Sequence, residues 1–364
     1  MMADGAARAP PPRPGFGARA RARLRNFVGT PGNALITAAV IAAAAAILPR
    51  LWGWAVTGAT WTGADRKACT GEGACWVFVR ARLNELLYGG YPADQAWRVN
   101  LCALGLAGLM ALSAFPHRFR RAAALLLILV FPVLALVLLR GGAFALEGVE
   151  TRLWGGLLLN FVLTFIAVVV AVPLGLLLAE GRRSSHPEIA GSSIAFIEFW
   201  RAAPIVTILF FGVVILPLLL PPGVEFNKFT CVAVALALFA SAYMAEAIRG
   251  GLQSVPKGQY EAALSLNLSP WQARALVVWP EALRVSLPAI VNTAIDLFKD
   301  TSLVTIVGLF DVLGSLQQAL KDPQWLGLAA EGYAAVAAAF YVLCSLLSAL
   351  SRRLERELAV EGRG

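Results

Sequence analysis

The chain has 364 residues, 59% of them hydrophobic and only 15% charged, with a mean hydropathy of +0.70 and a net charge of +9. Soluble domains carry nearer a quarter of charged residues, and apolar runs of about 20 residues mark membrane spans. This composition argues against a soluble domain, and the continuous, non-alternating apolar runs argue against a β-barrel. The fold class is therefore an all-α integral membrane protein.

The positive charge is placed as topology rather than as a nucleic-acid surface. Arg8, Arg13, Arg19, Arg21, Arg23 and Arg25 precede the first apolar run against a single acid, Asp4. By the positive-inside rule, residues 1–30 form a basic cytoplasmic segment. Spans are then expected over residues 34–56, 101–115 and 122–139, making a three-span extension over residues 31–150. Its external loop, 57–98, is rich in Trp and Tyr, which suit a membrane interface. Cys69 and Cys75 share that loop; an oxidising compartment permits a disulfide between them, and the spacing leaves the pairing open.

Residues 151–354 form the second region, with spans at 157–179, 230–248, 284–307 and 333–350. The run 189–220 is too long for one span at 1.5 Å per residue and holds Pro204. It is expected to be an interfacial helix, a break, and a further span. Residues 310–332 return on the outer side. This makes about eight spans with both termini in the cytoplasm, and it puts each of the larger arginine clusters on the inside.

The cytoplasmic loop 251–284 carries detailed helix-cap signals. Residues 259–266 have helix-forming composition, and Asn267 stands where a left-handed residue would close that helix. Ser269, Pro270 and Gln272 then read as N-cap, first position and third position of a second helix, a capping box.

Ionisable residues inside spans are costly and usually functional. Asp296, Lys299 and Asp300 fall about halfway along the seventh span on a shared helix face, with Ser302 following. A lysine beside two carboxylates offers partners to both ends of a zwitterion; equally, the three could satisfy one another as a packing lock. Glu198 with Arg201, and Glu246 with Arg249, are expected to be local pairs near the cytoplasmic interface. No catalytic set is evident. There is no GxxxxGK[ST] phosphate loop, and Ser184-Ser185-His186 lacks an acidic partner, so no enzyme activity, cofactor or metal site is expected. Energy for transport must come from another subunit or from an ion gradient.

Several motifs then carry a resemblance. Glu261-Ala262-Ala263, followed by Val278-Trp279-Pro280, resembles the EAA loop of ABC-transporter permeases, with Asn267 where that pattern has Gly. Ile197-Glu198-Phe199-Trp200-Arg201-Ala202-Ala203-Pro204, Tyr243-Met244-Ala245-Glu246-Ala247-Ile248-Arg249-Gly250-Gly251 and Leu297-Phe298-Lys299-Asp300-Thr301-Ser302-Leu303 are similar to stretches of polar amino-acid permeases, in the same order. The three-span extension is similar to that of general L-amino-acid permeases, which pair two unlike membrane subunits. The resemblance implies a five-helix ABC importer permease core for L-amino acids. Its implied partners are an ATPase dimer, a second permease chain, a periplasmic amino-acid-binding protein and the lipid bilayer. It also implies that Glu261, Ala262, Ala263 and Asn267 contact the ATPase. Lys299, Asp300, Ser302 and Asp296 would line the substrate pathway, and Glu198, Arg201, Glu246 and Arg249 would be gate or packing positions. The alternative is a proton-coupled secondary amino-acid transporter.

Overall fold

A computed structural model describes residues 27–114, 119–221, 223–224 and 226–361. The arginines of the N-terminal arm, together with His117 and Arg118, lie outside the described residues. The chain divides into two compact units, one ending at Val77 and the other beginning at Phe78.

The first unit is organised by α1, Pro31–Trp52. Thr30 caps it by accepting from the Asn33 amide at 3.2 Å, and Pro31 occupies the first position, where its missing N–H costs nothing. Beyond it, Cys69 and Cys75 are disulfide-bonded with Cα atoms 5.6 Å apart, so the pairing left open by spacing is formed. Trp76 anchors this loop, donating from Nε1 to the Ala55 carbonyl at 2.8 Å with the Trp54 and Trp61 rings 6.0 and 5.8 Å away.

The second unit contains α2 (Leu83–Tyr88), α3 (Ala96–Ala114), α4 (Ala122–Arg140), α5 (Gly156–Gly181), α6 (Pro187–Ala202) and α7 (Ile205–Leu219). It continues with α8 (Lys228–Ser254), α9 (Lys257–Ser265), α10 (Pro270–Val307), α11 (Val312–Ala319) and α12 (Ala329–Glu361). Among the described residues seven helices are long and apolar enough to span a membrane, eight with the α6–α7 pair counted as one broken span. That pair bends by 107° at Ala203-Pro204, where the expected break falls. Proline disfavours the helical region for the residue before it, and both residues are extended, with ψ of 135° and 138°.

Helix α8 is the centre of the bundle. Its buried residues include a run of small ones, Ala233, Ala235, Ala237, Ala240, Ser241, Ala242 and Ala245. Without a water-driven hydrophobic force between spans, small residues let backbones approach and gain dispersion contact. Gly175 of α5 shows how close this is: a Cβ there would lie 2.8 Å from Met244 Cβ and 2.9 Å from the Ala245 amide. Gly251 packs as tightly on α10, against Ala282 and Ser286.

The second loop helix and the seventh span are continuous: α10 runs from Pro270 to Val307, and the span expected from residue 284 lies within it. The reason is a π-turn at Arg274–Val278. Pro280 has no N–H to return to the fourth carbonyl behind it, and the wider turn absorbs that defect without ending the helix.

Candidate functional site

The candidates of loop 251–284 sit on a helix–turn–helix set by local hydrogen bonds. Helix α9 closes in a Schellman motif: the Leu268 amide donates to the Ala263 carbonyl at 3.2 Å and the Asn267 amide to the Leu264 carbonyl at 2.9 Å. Asn267 takes φ of 62°, the left-handed conformation anticipated for it. The capping box is also present, with Gln272 N to Ser269 Oγ at 3.3 Å and Ser269 N to Gln272 Oε1 at 2.9 Å. Glu261 and Ala262 are exposed, whereas Ala263 is buried and packs α9 inward. Glu261 makes no ion pair among the described residues. It lines a cavity of about 280 Å³ with Arg183, Lys257, Tyr260 and Arg274. Leu266 and Trp271 at the turn are 79% and 63% exposed, an apolar tip beside an uncommitted carboxylate. Glu180, which the motifs did not flag, ties this assembly to α5 by accepting from Trp279 Nε1 at 2.9 Å.

Three of the gate or packing candidates, Glu198, Glu246 and Arg249, come together around Arg182 at the end of α5. Arg182 Nη1 reaches Glu198 at 3.2 Å and Glu246 at 2.8 Å, joining α6 and α8 to the end of α5. Glu246 also accepts from Arg249 at 2.8 and 3.0 Å, as expected. The local pair expected between Glu198 and Arg201 is replaced. Glu198 turns to Arg182, and the Arg201 guanidinium lies 5.7 Å from the Tyr243 ring. A guanidinium that serves two acids from different helices outweighs one helix-mate, because it draws on both carboxylates at once.

The pathway candidates lie in the last α-helical turn of α10 and the 3₁₀ segment after it. Lys299 Nζ meets Asp296 Oδ1 at 3.0 Å, and both side chains are exposed, 53% and 69%. Asp296 and Asp300 line a cavity of about 150 Å³ with Phe239, Tyr243 and Thr293. Lys299 lines a different groove, about 450 Å³, facing Tyr341, Ser345 and Arg352 of α12. The single shared face is thus corrected to two adjoining ones, since consecutive residues on an α-helix are separated by roughly 100°. Ser302 is half-buried in Thr301–Val307 and lines neither cavity. Tyr243 connects the gate set to the pathway, touching Arg201 on one side and the Asp300 cavity on the other.

Beyond Asp300 lies a buried polar junction absent from the sequence-based candidates. Asn160 Nδ2 donates to Thr301 Oγ1 at 2.9 Å and to Asp311 Oδ2 at 3.0 Å, while its Oδ1 accepts from the Val312 amide at 3.1 Å. Asp311 caps α11 through the Gly314 amide at 3.0 Å and accepts from Thr305 at 3.2 Å. Asn160, Thr301 and Asp311 are all fully buried. Burial pushes the Asp311 carboxyl up, against the lowering effect of its hydrogen bonds from Asn160, Gly314, Leu313 and Thr305. The available signals were modest: a lone amide in the apolar run of α5, and an N-cap aspartate before α11.

A bundle of spanning helices with one broken element, a protruding helix–turn–helix and charges within its spans has the architecture of a transport permease. The chain belongs to the binding-protein-dependent transport system inner membrane component family, whose model matches residues 171–360, more than half of its length. It is 46% identical over 352 residues to the inner membrane amino-acid ABC transporter permease protein YhdY of Escherichia coli, covering 95% of each chain. It is 35% identical to the glutamate/glutamine/aspartate/asparagine transport system permease protein BztC of Rhodobacter capsulatus, covering 81% of each. Among solved structures it matches an amino acid ABC transporter crystallised with histidines at 32% identity and a TM-score of 0.49, over 56% of this chain and 92% of that one.

Proposed function

We propose that this chain is the permease subunit of an ATP-driven importer of L-amino acids, receiving substrate from a periplasmic binding protein and working by alternating access. The observation that carries the substrate class is the charged face of α10. An exposed Asp296–Lys299 pair on a spanning helix is costly in lipid and belongs beside protein or a water-lined passage. Asp300 lies on the adjoining face and shares a small cavity with Asp296, so the two faces between them offer a cation and two carboxylates to a zwitterion. A second permease chain covering the face would complete the passage between two subunits. The amino-acid permease relatives support the same class.

Energy enters through the other end of α10. The exposed Glu261, the Asn267 turn and the apolar tip suit a groove on an ATPase subunit, and α10 links that contact rigidly to Asp296 and Lys299. The buried Ala263 supports the α9 helix from within, while Ala262 faces outward with Glu261. Residues 1–30 and the C-terminus are cytoplasmic in this arrangement, and the Cys69–Cys75 loop faces the oxidising side, where disulfides persist. Membership of a binding-protein-dependent family favours this over a proton-coupled secondary transporter.

The test is uptake in vesicles reconstituted with the purified complex. Amino-acid accumulation that needs internal or external ATP together with binding protein, and survives a proton uncoupler, is the expected result. Uptake without any ATPase that collapses with the uncoupler overturns it. In the same assay Glu261→Lys should insert normally yet lose ATPase co-purification or ATP-dependent uptake.

A further inference from the structure

An apolar crevice of about 340 Å³ runs between α3, α4, α5 and α12, lined by residues such as Leu106, Met110, Phe131, Leu136, Phe165 and Leu346. Both α3 and α4 precede the segment that the family model matches. Along α3 the crevice extends from Val99 to Met110, and along α5 from Leu157 to Ile166. At 1.5 Å per residue each wall is roughly 15 Å long. That is about half of a ~30 Å hydrocarbon core, the depth of one leaflet. Leu136 and Leu346 at its rim are 38% and 61% exposed, so the crevice opens on the flank of spanning helices.

One end is polar. Tyr88 and Asn100, hydrogen-bonded at 2.8 Å, line the crevice and also a second cavity of about 1020 Å³, whose walls include Glu85, Thr151, Lys228 and Gln318. An apolar space thus adjoins, across two shared residues, a polar one carrying an ammonium.

We propose that the two cavities together hold one membrane phospholipid, its acyl chain in the crevice and its phosphate-bearing head in the polar cavity near Lys228. Water finds too few partners in a crevice lined this way, and an empty one forfeits the contacts of all its walls. An apolar cavity of about 150 Å³ takes a benzene ring, so this one accommodates on the order of a dozen carbons. That matches the leaflet-deep length of its walls. The lipid acts as a wedge seating α3 and α4 against the core helices, whatever the substrate carried.

The complex purified from membranes and examined by native mass spectrometry should retain about one phospholipid per chain after detergent exchange. Ala135→Phe or Ala107→Phe, which fill the crevice, should lower that retention at least fivefold while the complex stays assembled. Equal retention in wild type and filled variants, or a wild-type complex carrying no phospholipid, overturns the proposal. The wild-type protein supplies a second measurement that does not depend on a variant folding. A phospholipid with a photoreactive acyl chain should label residues 106–110 and 131–136 several-fold more than the stretch 125–129, where Leu125, Leu126, Ile128 and Leu129 are exposed. Uniform labelling of all three stretches means ordinary annular contact, and cross-linking of the crevice to another protein helix means a different occupant; either result overturns it.

Discussion

Lys299 is exposed and, among the described residues, its ion pair is with Asp296, three residues back on the same helix, so removing it leaves the backbone of α10 untouched. Lys299→Ala is expected to abolish or strongly reduce amino-acid uptake in an assembled complex; unchanged uptake kinetics would remove Lys299 from the pathway. Asn160 is the opposite kind of residue, fully buried and making three side-chain hydrogen bonds inside the fold, two as donor and one as acceptor. Replacing it by the similarly sized leucine leaves Asp311 short of a donor and the Val312 amide without an acceptor. Each orphaned buried group costs about 1–3 kcal/mol. Asn160→Leu should therefore lower the thermal midpoint of the purified protein by several degrees, and the loss should exceed that of Asn160→Gln if the amide chemistry is what matters. Of the residues that shape the site, Lys299 was legible from sequence because charge in an apolar run is conspicuous. Arg182 was not, since an arginine at a loop is explained already by topology, and only the packing of α6 and α8 brings Glu198 and Glu246 to it.

Among the elements, the α9 turn is the sharpest case. Its cap residues interact within a few positions of one another, so their geometry was readable from order alone. Asn267 at φ of 62° pays a modest conformational cost that glycine does not. Asn267→Gly is expected to preserve transport and leave stability equal or slightly higher, whereas Asn267→Val should cost about 1–2 kcal/mol and weaken ATPase co-purification. Pull-down of the complex with thermal unfolding separates the two outcomes. The continuity of α10 escaped sequence inspection because the π-turn that carries the helix through to Pro280 is a backbone adjustment with no residue signature of its own.

For the whole molecule, α8 sets how closely its neighbours can lie. Gly175→Ala places a methyl group against Met244 and the Ala245 amide of α8, where backbone cannot yield as a flexible side chain would. Overpacking of that kind typically costs about 1–3 kcal/mol. The expected result is a lowered thermal midpoint with reduced uptake, since the α5 terminus carries Arg182 into the gate set; a variant as stable as the parent would show that α5 can shift freely. The Gly181-Arg182-Arg183 turn thus belongs to packing and topology together.

Hydropathy, charge placement and cap spacing determined by themselves that the chain spans a membrane about eight times, where its second region breaks at Pro204, and how α9 ends. These depend on transfer free energy and on neighbours a few residues apart, both of which are written in local order. Only the tertiary structure decided that Cys69 joins Cys75, that Lys299 and Asp300 open into different cavities, and that Asn160, Thr301 and Asp311 meet. Those contacts join residues that local periodicity does not link, or depend on the azimuth of each helix against its neighbours, which is chosen by the packing of the bundle as a whole.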